Sequence, residues 1–138
     1  MTKNFYYDYV EYGHVARYVP INTLYVDVGN SFAPGVIDHH HVDKHDVCTS
    51  ACRMIWLLLT KSASTLWEHS PKTLKILNEL AAKSDTDIRI ITHKNPDLDS
   101  FVSCYILTRY LESGSVPDIP ADLIDLTDKA DRGLFDDA

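Results

Sequence analysis

The sequence predicts an α/β domain of three layers, a mainly parallel sheet with helices on both faces. Three observations carry that prediction. Short runs of β-branched and aromatic residues alternate with longer stretches of helical periodicity. Ile88 to Thr92 is apolar except for Arg89, the pattern of a strand buried on both faces of a parallel sheet. The acidic and histidine-bearing segments follow predicted strands, where open α/β sheets place their sites. With 138 residues, of which 45% are hydrophobic, the chain suffices for one domain with a real core.

Residues 1–20 are rich in aromatics: Phe5, Tyr6, Tyr7, Tyr9, Tyr12 and Tyr18 precede Pro20. Their pattern assigns no element, and they are set apart as a segment able to cover an edge of the domain at 21–138. Leu24 to Val28 reads as the first strand, closed by Gly29-Asn30. After a turn at Ala33-Pro34-Gly35, Val36-Ile37-Asp38 is a second, short strand that runs into His39-His40-His41. Thr49 or Ser50 can cap a helix to about Lys61, with Ala51, Met54, Ile55, Leu58 and Leu59 as its core stripe. Pro71 suits the first turn of a helix through about Lys83. Ser84 to Asp87 is a turn into the strand at 88–92. A loop, His93 to Asp97, leads to a helix from Leu98 to Glu112 whose expected buried face is Leu98, Phe101, Val102, Tyr105 and Ile106. Gly114 stops it. Leu123 to Leu126 reads as a last strand before an acidic tail.

The composition narrows the function. Thirteen Lys and Arg against 20 Asp and Glu give a net charge of −7, which argues against a grip on a long nucleic acid. A short phosphate ester held through metal ions is compatible with it. No apolar run approaches the ~18–20 residues of a membrane span, and Met1 to Asn4 lacks the apolar stretch of a signal peptide. Three cysteines, Cys48, Cys52 and Cys104, are too few for a disulfide framework and read as reduced thiols in a cytoplasmic protein. Of the 20 acids, 16 are Asp, the residue of caps, turns and hard-metal sites.

Two stretches carry chemistry. In Thr92-His93-Lys94-Asn95-Pro96-Asp97-Leu98-Asp99-Ser100, a loop leaves a buried strand and enters a helix. It can turn one imidazole and two carboxylates toward one point. Carboxylates that close repel unless a cation neutralises them, and mixed oxygen and nitrogen ligands suit Mn²⁺ or Mg²⁺. The competing explanation is helix capping by Asp97. In Ile37-Asp38-His39-His40-His41, a strand-end carboxylate precedes adjacent imidazoles, which can serve a metal and a substrate; a solvated histidine-rich loop is the competing explanation.

Together the two stretches resemble the DHH phosphoesterase superfamily, which includes family II inorganic pyrophosphatases, exopolyphosphatases and oligonucleotide exonucleases. The 92–100 loop looks like that family's first motif, Ile37-Asp38-His39-His40 like the motif that names it, and Cys48-Thr49-Ser50-Ala51-Cys52 like the small-residue helix start that follows. The resemblance implies a hydrolase with two Mn²⁺ or Mg²⁺ ions, about 3.5–4 Å apart, that activate water for in-line attack on phosphorus. It implies that His93 and Asp97 ligate one ion, that Asp99 and His39 ligate the other, that His40 faces the substrate phosphate, and that Asp38 orients the histidines. For the family's bridging carboxylate two positions compete: Asp27, near DHH, and Asp125, which follows the first motif by a helix and a loop. Asp85 matches a further family carboxylate loosely, though a helix-to-strand turn explains it as well. The motif order is reversed from the family's, as in a circular permutation or one piece of a longer arrangement, and the usual C-terminal substrate-binding domain has no counterpart in these residues.

The expected substrate is a small phosphate ester, nucleotide or short oligonucleotide, with a homo-oligomer or partner domain as a further option. The rival expectation is a metal- or nucleotide-binding module without turnover, or a partial domain completed by a partner.

Overall fold

Five strands form one sheet in the order β1-β5-β2-β4-β3. They are β1 (Asn4–Val10), β2 (Thr23–Val26), β3 (Phe32–Ala33), β4 (Val36–Ile37) and β5 (Asp87–His93). The computed structural model describes residues 3–11, 13–29, 32–38, 50–60, 70–95 and 97–131, so His39, His40, His41 and Cys48 lie outside the described residues. The first four strands in that order run parallel, and β3 closes the far edge antiparallel to β4. The α/β class and the mainly parallel sheet therefore stand.

The expected strand at 88–92 is β5, flanked by β1 on one side and β2 on the other. Leu24, Val26, Ile88 and Ile90 are fully buried, as the near-continuous apolar runs require. Within the N-terminal segment, Asn4 to Val10 pairs along its whole length with Asp87 to His93 as an edge strand. Most of its side chains are exposed, so the alternation that betrays a half-buried strand was absent from the sequence. Gly29, just past β2, has φ 112°, and a Cβ there would lie 2.6 Å from Val36 Cγ1. A side chain at this φ and with this contact would be strained, and the Val15 backbone bridges to the same residue.

The described residues form four helices, the first three where helices are expected: α1 (Ala51–Thr60), α2 (Ser70–Ala82), α3 (Leu98–Ser113) and α4 (Ala121–Asp131). The last corrects the expected strand at 123–126. The apolar string Leu-Ile-Asp-Leu is too short to distinguish periods. Over the longer stretch Ile124, Thr127 and Asp128 are buried at helical spacing while Leu126 is exposed. A bond from Leu123 N–H to the Pro120 carbonyl, 3.0 Å, marks the start of the turn.

Helices on both faces are a second expectation that the described residues do not meet. Buried side chains from all four helices join one cluster with Leu24, Val26, Ile37, Ile88 and Ile90. The opposite face, around Tyr25, Val28, Val36 and Ile91, is covered instead by Val10, Ala16 and Val19 of the N-terminal stretch. Helix α3 also rotates from its expected setting. Val102 and Ile106 are buried as expected, with Leu107, Tyr110 and Leu111, but Leu98, Phe101 and Tyr105 face solvent. The positions they were expected to fill go to Asp99, Ser100 and Ser103, all buried. No helix among the described residues is long and apolar enough to cross a membrane.

Candidate metal centre

Strands β5, β2 and β4 lie side by side and parallel, so their carboxyl ends share one edge of the sheet. His93 is the last residue of β5, Asp27 follows β2, and Asp38 follows β4. Both Asp27 and Asp38, like His93, are buried. Asp27 has φ 60°, a left-handed conformation that Asp adopts more readily than most residues. Its N–H donates to the Ile37 carbonyl at 2.8 Å, which ties this turn to β4.

The Asp27 Oδ2 atom is 3.1 Å from His93 Nε2, across 66 residues of sequence. Asp97 brings a second carboxylate, with Oδ1 4.0 Å from the same nitrogen. One ligand atom from each of Asp27, His93 and Asp97 lies within 4.8 Å of the others, the one such grouping among the described residues. Metal–oxygen bonds of about 2.0–2.1 Å hold two ligands of one ion no more than about 4.2 Å apart. Both spans from His93 meet that limit, and a small contraction brings in the whole set. The hydrogen bond from Asp27, reinforced by the charges of Asp27 and Asp97, raises the His93 pKa above its ordinary value against the opposing effect of burial. Two carboxylates thus already hold a positive charge here when a proton supplies it.

The donors are oxygen, nitrogen and oxygen, the set for a hard divalent cation. The grouping holds no thiol. Burial, with help from Asp99, pushes Cys52 up to about 12, and burial with Asp27 and Asp99 does the same to Cys104. Both are free cysteines that stay protonated near neutrality.

Asp97 serves two functions. It is the N-cap of α3, its Oδ1 accepting the Ser100 N–H at 2.9 Å while Ser100 Oγ accepts the Asp97 N–H at 2.9 Å. Capping and proximity to His93 were competing explanations from sequence; one half-exposed side chain accommodates both.

Asp99 is placed differently. It is buried on α3 and turned to the start of α1, where Oδ2 accepts the Ala51 N–H at 3.0 Å and Oδ1 the Cys52 N–H at 2.8 Å. Asp128 of α4 completes that cap, accepting the Ser50 N–H at 2.9 Å and its hydroxyl at 2.8 Å. Ser50 Oγ in turn accepts the Arg53 N–H at 3.2 Å, so Ser50, one of the two expected cap residues, caps α1. Sequence reasoning missed Asp128, because it lay beyond an expected strand; its i+4 spacing from Ile124 was the available signal.

Of the two positions that competed for the bridging carboxylate, Asp27 joins His93. Asp125 is on α4 rather than at a strand end, half-exposed and paired with Arg53 Nη2 at 2.7 Å. Asp85 lies in the turn before β5, with φ 52°. Seven strand residues at about 3.3 Å each put it roughly 20 Å from His93. His39 and His40 lie outside the described residues. Compared with known proteins, the chain matches no family model, no curated protein and no solved structure.

Proposed function

We propose that the chain carries the centre of a Mn²⁺- or Mg²⁺-dependent phosphohydrolase that resembles the DHH phosphoesterases and cleaves a phosphodiester or phosphoanhydride in the cytoplasm. The observation that carries this reading is the approach of Asp27 to His93 at 3.1 Å with Asp97 at 4.0 Å, at the ends of adjacent parallel strands. Core packing does not require two acids and an imidazole to converge there.

Asp27, His93 and Asp97 would hold one ion, with Asp27 as the carboxylate shared with a second. His39 and Asp99 complete the second set in the family pattern. A bound Mn²⁺ or Mg²⁺ supplies Lewis acidity, which lowers the pKa of water and screens the charge on phosphoryl oxygens. Asp27 fixes the His93 ring through their hydrogen bond; in the family pattern Asp38 would orient the imidazoles that follow it and His40 would donate a hydrogen bond to the phosphate. The net charge of −7 favours a small ester, nucleotide or short oligonucleotide over a long polyanion. A three-layer DHH-like form belongs to the same proposal.

One observation favours the second reading, a metal-binding module without turnover. Both Asp99 oxygens already accept backbone N–H groups of α1, which weakens a second-ion site. Calorimetry with Mn²⁺, together with hydrolysis of bis(4-nitrophenyl) phosphate, pyrophosphate and a short oligonucleotide, separates the two. Two equivalents with Asp27-dependent turnover support the hydrolase. One equivalent without turnover supports the module, and no uptake at all removes both.

A further inference from the structure

Beside the metal centre, on the helix-covered face of the sheet, β1 and α3 enclose a cleft of about 290 Å³. That is the lower end of the range for small-molecule sites. Its walls are Tyr7 and Tyr9 from β1 and Phe101 and Tyr105 from α3. Each of these four rings is at least 43% exposed, and Phe101 reaches 70%. They leave a large apolar surface in water that the core does not use.

At the bottom sits Thr92, 4% exposed, whose hydroxyl has no hydrogen-bond partner among the described residues. Burying such a group is costly unless something pairs with it. The cleft also reaches toward the centre. Ser100, which lines the cleft, closes the capping box with Asp97. Cys104, another lining residue, feels the charges of both Asp27 and Asp99.

We propose that this cleft is a ring-binding subsite that takes a planar nucleobase between the Tyr7, Tyr9, Phe101 and Tyr105 side chains, with the Thr92 hydroxyl bonded to the edge of the base. Aromatic walls stack on flat π systems and tolerate any base. A threonine hydroxyl donates and accepts, so it matches either kind of group on a base edge. No lining residue is basic, so the cleft selects a ring and not a phosphate. The proposal rests on the metal-centre reading only for the position of the phosphate. A nucleotide would fill both places, whereas inorganic pyrophosphate would leave the cleft empty.

Adenosine, which carries no phosphate, tests the subsite apart from the metal. Titrated into the full chain in the presence of EDTA and followed by NMR, it is expected to bind saturably. Phe101→Ala, at a solvent-facing position, and the near-isosteric Thr92→Val should each weaken that binding about tenfold. Absence of saturable binding, or equal binding by both variants and the parent chain, overturns the proposal. So does self-association that Phe101→Ala abolishes and that excludes adenosine, which would give the cleft to a second copy through the β1 edge. Mn²⁺ calorimetry is read separately: uptake of Mn²⁺ without adenosine binding sinks the subsite alone. Adenosine binding without Mn²⁺ uptake supports the subsite and removes the metal reading.

Discussion

Helices α1 and α3 begin side by side in the fold but are capped in opposite ways. Helix α3 caps itself: Asp97 and Ser100, three residues apart, exchange hydrogen bonds. Helix α1 has its first N–H groups satisfied from afar, by Asp99 and Asp128, 47 and 78 residues away in sequence. The local cap leaves its carboxylate half-exposed and facing His93. The distant caps bury theirs against the positive end of a helix dipole, where a negative charge is stabilised. Within one Asp-x-Asp pair, therefore, Asp97 is disposed to a ligand and Asp99 to the scaffold.

The sharpest way to break that comparison is to remove each carboxylate in turn. Asp99→Ala leaves two buried N–H groups unpaired and should cost roughly 2–4 kcal/mol in urea unfolding, with Mn²⁺ affinity at the Asp27–His93–Asp97 group little changed. Asp97→Ala loses a local cap, about 1 kcal/mol, but should lower Mn²⁺ affinity by about 100-fold in calorimetry. If both variants lose stability equally and neither alters Mn²⁺ binding, the division between ligand and scaffold is wrong.

A pH series sharpens the same contrast with a smaller effect. In metal-free protein the His93 pKa lies above 6.5 because Asp27 accepts its hydrogen bond. Its contribution to stability is then complete below pH 6.5 and is lost as pH rises through the elevated value. His93→Gln should flatten that decline in thermal unfolding followed in EDTA. Mn²⁺ competes with the same proton, so its binding should strengthen over the window in which metal-free stability falls. An unchanged stability profile in the variant would show that His93 does not titrate as the geometry requires.

The smallest effect belongs to Asp125. Its ion pair with Arg53 is solvent-exposed, so Asp125→Ala should change stability by roughly 0.5 kcal/mol. It should leave Mn²⁺ binding intact, since Asp27 occupies the place beside His93. A large loss of metal affinity in this variant would restore Asp125 as a ligand.

Elements defined by short-range pattern were legible in the sequence. The β5 run, the amphipathic stripes of α1 and α2, Gly114 as the stop of α3 and Asp97 as its cap all follow from neighbours within a few residues, which is where periodicity and capping act. Strand β1 was not legible, because its side chains are mostly exposed and its partner lies about eighty residues away. Helix α4 was misread, because four apolar positions fit either period.

The candidate site divides along the same line. Residue types and spacing made His93, Asp97 and Asp99 metal-ligand candidates, and the resemblance to the DHH phosphoesterases set Asp27 and Asp125 in competition for one place. Strand order decided which of the two lies beside His93. Parallel pairing of β2 with β5 brings Asp27 to His93, and the α1–α3 packing draws Asp99 toward backbone N–H groups. Those choices depend on which distant donors and acceptors share a buried volume, a relation set by the packed chain as a whole.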